Sequence, residues 1–97
     1  MRITEKMLQQ RVEYLNELTN SPKTPYSKDE NGRNKANIGN YHLSHAYGGV
    51  CVHRMMNENG GVNTPIVYGH VPKRELFEKL CSFIDGIQYG KELATTK

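Results

Sequence analysis

Apolar side chains recur at helical spacing near the start of the chain. Met7, Leu8, Val12, Leu15 and Leu18 mark one face of residues 4–19, with Gln9, Gln10, Glu13 and Asn16 on the other. Thr4 is placed to cap this helix, and Asn20-Ser21-Pro22 ends it, because proline cannot continue the backbone hydrogen-bond ladder. Residues 22–40 then lose all periodicity. They are polar, rich in turn formers and contain an Asn31-Gly32 pair. This stretch reads as a long mobile loop with room for a short ribbon, able to close over a ligand.

Alternation follows. Tyr41, Leu43, His45 and Tyr47 alternate with His42, Ser44 and Ala46, the period of a half-buried strand, until Gly48-Gly49 breaks it. Residues 50–56 form a second strand, with Val50, Val52 and the Arg54 stem on one face and Cys51, His53 and Met55 on the other. The run 57–61 is a turn, and 62–68 a weaker third strand, at an edge because of Pro65. Pro72 suits the first turn of a closing helix, whose apolar stripe is Leu76, Phe77, Leu80, Phe83, Ile84 and Ile87. Gly86 or Gly90 ends it, and 91–97 is expected as a frayed tail. The predicted fold is α+β: an N-terminal helix, a three-stranded antiparallel meander and a C-terminal helix, with the helices on one face of the sheet. Residues 1–90 make one ligand-binding domain.

Composition narrows the function more than the fold. With 97 residues and 36% hydrophobic content, the core is modest and a second copy is a natural way to cover apolar surface. Thirteen Lys+Arg against ten Asp+Glu give a formal charge of +3 without a long basic run. That suits a local anionic ligand better than a nucleic-acid backbone. No apolar stretch approaches the ~18–20 residues of a membrane span. No signal peptide is expected, so Cys51 and Cys81 are read as reduced packing groups in a cytoplasmic protein.

Catalytic signatures do not emerge. His42 and His45 fall on opposite faces of a strand and cannot share an ion there. His53 and His70 have no partner at metal-binding spacing, so no metal site is expected. Cys51 and His53 share one strand face, but no third group orients them as a nucleophile and base. The glycine pairs lack the residues of a phosphate loop. No cofactor and no enzymatic activity are expected.

Interest gathers instead between Tyr47 and Arg74. This run holds an aromatic beside a glycine pair, Asn57 at a strand end, and Lys73-Arg74 in the first turn of a helix. Free N–H groups, the positive end of the helix dipole and two cations suit a phosphate. An aromatic face stacks a base, and an asparagine pairs with a base edge or sugar.

Four stretches carry a resemblance. They are Arg11-Val12-x-x-Leu15-Asn16-x-x-Thr19, Asn40-Tyr41-x-Leu43-x-x-Ala46-Tyr47-Gly48-Gly49-Val50, Gly60-Gly61-Val62 and Lys73-Arg74-Glu75-Leu76. Together they resemble a family of small phage-encoded proteins that belongs with the first-described Thoeris anti-defence family. The resemblance covers residues 8–88, and nothing in residues 22–40 maps onto the family. It implies a non-catalytic sponge that sequesters the glycocyclic ADP-ribose made from NAD by bacterial TIR-domain enzymes. Some members also hold cyclic di- or trinucleotides at a separate site in a hexamer. The family's aromatic, asparagine and arginine fall on Tyr47, Asn57 and Arg74, for the adenine, the base or ribose, and the pyrophosphate; Arg11 is a further contact. A homodimer or dimer-based hexamer in the host cytoplasm is implied. The competing reading is a phage module that binds a host or phage protein through an apolar helix face; a nucleic-acid module and an enzyme rank below it.

Overall fold

The computed structural model describes residues 1–95. Helix α1 (Glu5–Leu18) starts where its cap was expected, with the Met7 N–H donating to Thr4 Oγ1 at 3.2 Å. Asn20 ends it in the left-handed region (φ 54), and Ser21 N–H returns to the Asn16 carbonyl. Residues 22–40 form more than a loop. Strands β1 (Tyr26–Lys28) and β2 (Asn34–Ala36) pair as an antiparallel ribbon. Its tip is fixed by Asp29, whose Oδ1 accepts the N–H groups of Asn31 and Arg33.

Strands β3 (Tyr41–Ala46) and β4 (Gly49–Met55) form a tight hairpin, with Ala46 opposite Gly49. Strand β5 is only Val62–Asn63, against Arg54 and Met55. The expected third strand therefore ends after two residues. The chain beyond it bends at Pro65, tucks Val67 into the core, and returns to the sheet through a reciprocal pair of backbone hydrogen bonds between Val50 and Val71. Helix α2 (Lys73–Thr95) follows, with the Pro72 carbonyl accepting the Leu76 N–H. Gly86 and Gly90 do not stop it, so residues 91–95 are helix rather than frayed tail; residues 96–97 of that tail lie outside the described residues.

The architecture is the expected α+β arrangement. Leu8, Val12 and Leu15 of α1 and Leu76, Leu80 and Ile84 of α2 are fully buried with Tyr41, Val50 and Val52 of the sheet. The helices run parallel: Arg74 meets the Met1 carbonyl, Gln88 meets Tyr14, and Lys91 meets the Leu18 carbonyl, at constant separations of 73–74 residues.

One residue departs from its expected face. Asn16, read as part of the outward side of α1, is 3% exposed. Its Nδ2 donates to the Tyr41 carbonyl at 2.9 Å, and its Oδ1 accepts the Tyr41 N–H at 2.8 Å. The side-chain amide thereby stands in for a neighbouring strand at the edge of β3. Asn16→Ala is expected to cost about 1–3 kcal/mol, because the Tyr41 backbone groups lose their partners in a buried setting. Urea unfolding should show a lower midpoint, whereas Gln9→Ala on the exposed face should not. An unchanged midpoint for Asn16→Ala would mean that the clamp contributes nothing.

Candidate functional site

The two-residue turn between β3 and β4 requires positive φ at both central positions. Gly48 meets this at φ 74 without strain; Tyr47 meets it at φ 54 with its side chain wholly exposed. Tyr47 is therefore a turn residue rather than the last residue of a half-buried strand. Gly49 is required by close approach, since a Cβ there would lie 2.9 Å from the His70 carbonyl carbon. That approach brings the start of α2 to the turn. A hollow of about 390 Å³ results, lined by His45, Ala46, Gly48, Gly49, Val50 and Lys73. Lys73 makes no ion pair among the described residues, and the nearby Glu5 carboxylate is engaged by His45 Nε2 at 2.7 Å.

The expected site residues divide. Tyr47 and Lys73 lie at this end of the sheet. Arg74 follows Lys73 on α2 but turns to the other side, where its guanidinium donates to the Met1 carbonyl. Arg11 lines a separate groove of about 540 Å³ between the helices, with Met7, Tyr14, Phe77 and Gln88. Asn57 sits beyond the opposite end of β4, about 20 Å from the Tyr47 turn for a seven-residue strand. Its Oδ1 is occupied locally by the N–H groups of Asn59 and Gly61. One chain does not bring Asn57 to Tyr47.

A second constellation escaped sequence reasoning. Register places His42 opposite His53 and Ser44 opposite Cys51, all on the sheet face opposite to that of Tyr41, Leu43 and Val52. His70 arrives on that face from the segment before α2. Its Nε2 lies 3.2 Å from Ser44 Oγ and 3.5 Å from Cys51 Sγ. The His53 ring stands 6.3 Å from that of His70 and 5.6 Å from that of His42. Asn40 orients His42: its Nδ2 donates to the Pro22 carbonyl, leaving Oδ1 to accept His42 Nδ1–H at 3.1 Å. Tyr47 also touches the group, edge-on to His70 at 6.2 Å. The alternation of β3 and β4 held part of this signal, but nothing local in the sequence could align the two strands or deliver His70.

Burial dominates the electrostatics here. It holds His42 and His53 below the ordinary value of 6.5, with repulsion from His53 and His70 respectively adding to the effect. It pushes the Cys51 thiol up, against a smaller opposing effect of Ser44. Near pH 7, His42 and His53 are thus neutral imidazoles and Cys51 a neutral thiol.

The native state binds fewer protons at His42 and His53 than the unfolded chain does. Their contribution to stability is complete above about pH 6.5 and is lost as pH falls from there through the lowered native values. In chelating buffer, the urea midpoint is expected to drop between pH 7.5 and about pH 5, above most carboxylate titration. The double variant His42→Gln, His53→Gln should flatten that slope; an equal slope in both proteins would remove these residues as its cause. Compared with protein-family models, curated proteins and solved structures, the chain matches none.

Proposed function

We propose that the protein captures a cyclic nucleotide second messenger of the glycocyclic ADP-ribose type without chemically altering it. This is the role implied by the resemblance to phage anti-defence sponges that block Thoeris immunity in the host cytoplasm. The observation that carries the reading is Tyr47. A left-handed backbone costs a non-glycine residue on the order of 1–2 kcal/mol, and asparagine is better suited to this turn position. A tyrosine kept there is wholly exposed and has only an edge-on ring contact with His70 to offset that strain, and retained strain of this kind points to function.

The surroundings supply the rest of an anion-and-base site. The Tyr47 ring offers a stacking face. Lys73, at the positive end of the α2 dipole, offers positive charge to a pyrophosphate. A hollow of about 390 Å³ falls within the range of small-molecule sites. Tight, reversible capture needs no more than this. In this reading a second copy supplies Asn57 or Arg11, with Arg74 at the seam, and the working unit is a dimer or a dimer-based hexamer.

Calorimetric titration with glycocyclic ADP-ribose tests the ligand. Tyr47→Asn is expected to raise Tm by a few degrees, since the turn is relaxed, while weakening binding about tenfold or more. Unchanged affinity would remove Tyr47 from the site. Ligand recovered after denaturation should be chromatographically intact; a new product would make the protein an enzyme. Light scattering on the eluting protein should give a mass above the 11.1 kDa of one chain, and a monomer that still binds tightly would overturn the shared site.

A further inference from the structure

We propose that Cys51, His53 and His70 form a binding site for a zinc-class transition-metal ion. Each offers one ligand atom, and the three atoms lie within 4.8 Å of one another. A tetrahedral ion with bonds of ~2.3 Å to sulfur and ~2.0–2.1 Å to nitrogen holds those ligands about 3.5 Å apart. Cys51 Sγ and His70 Nε2 already stand at 3.5 Å. His53 needs only a small ring adjustment to complete a three-ligand face, and it is half-buried, free to make one.

Donor chemistry selects the ion. One thiolate and two imidazoles suit zinc and its neighbours in the first transition row. The set contains no carboxylate, which disfavours calcium and magnesium. Both histidines are needed as neutral imidazoles, and burial already favours that form at His53. Binding converts the Cys51 thiol to a thiolate bonded to the ion, and its single proton leaves to solvent. No electron is transferred. Burial that discourages a bare thiolate at Cys51 is relieved once the sulfur bonds a cation.

The scaffold supports the geometry. Cys51 and His53 alternate onto one face of β4, so a two-residue spacing sets both in the same direction. His70 is tied to that strand by the neighbouring Val50–Val71 hydrogen bonds, at 2.8 and 2.9 Å. Gly49 admits the His70 backbone at a distance that a side chain would forbid. Ser44 Oγ borders the ligand set, 3.2 Å from His70 Nε2, and three protein ligands leave a tetrahedral ion one further position for water or an outside ligand. The site does not depend on the nucleotide reading.

The test uses the full-length, reduced protein stripped with a chelator and titrated with Zn(II), and with Co(II) as a coloured substitute. One equivalent of Zn(II) is expected to bind and to release one proton. Co(II) should give a thiolate charge-transfer band with tetrahedral visible bands. His53→Gln and His70→Gln should each weaken Zn(II) binding about tenfold or more. Cys51→Ser should abolish the charge-transfer band, and Cys81→Ser should leave it unchanged. Because Cys51 is fully buried and its replacement can disturb folding, thiol labelling of the unsubstituted protein in moderate urea, where the metal-free fold opens transiently, provides an independent reading: Zn(II) should slow labelling of Cys51 and not of Cys81. Absence of the band, protection of Cys81 instead, or full affinity in both histidine variants would each overturn the site.

Discussion

The two hydrogen bonds between the Asn16 side chain and the Tyr41 backbone hold the layers of this protein in register. Apolar faces attract without direction, so Leu8, Val12 and Leu15 alone would let α1 slide along the sheet. A buried amide that donates and accepts at one residue cannot slide, because a shift by one position leaves both partners unsatisfied. Once α1 is pinned to β3, the β3–β4 register fixes the rest of the sheet. The Val50–Val71 pair then starts α2 at a defined point, and the parallel helices align along their length.

Much of the fold was legible because local and tertiary preferences agree. The apolar stripes of both helices, the cap at Thr4, the stop at Asn20 and the alternation of β3 and β4 are properties of neighbouring residues, and the structure has them. The departures share a cause in long-range pairing. Asn16 is polar, so its pattern assigns it to solvent until a strand edge offers it two partners. The 62–68 run is apolar enough for a strand, but it has sheet to pair with only at Val62 and Asn63. Gly86 and Gly90 weaken a helix by propensity, which the long apolar stripe before them outweighs.

The sites were legible in part for the same reason. Tyr47 and Lys73 are local features of a turn and a helix start, and the start of α2 lies by the turn because Gly49 lets the chain before α2 come close. Lys73 and Arg74 were read together, but adjacent helical residues point about 100° apart, and theirs diverge. The Cys51–His53–His70 group depends on strand register and on a loop returning nineteen residues after Cys51. Spacing in sequence therefore carries little trace of it, because His42 meets its neighbour His53 across the strand pair and not along its own strand.

The constant separation of 73–74 residues between α1 and α2 has a bearing on the order of assembly. The β3–β4 hairpin closes across two residues and has the shortest loop to order. Helix α1 must wait for β3 and then for α2, the most distant partner along the chain, before its apolar face is covered from both sides. During synthesis the first helix is made long before the last, so Leu8, Val12 and Leu15 remain exposed to solvent or to other chains for most of that interval. The completed fold is protected by its final helix, and the growing chain is most prone to association before that helix arrives.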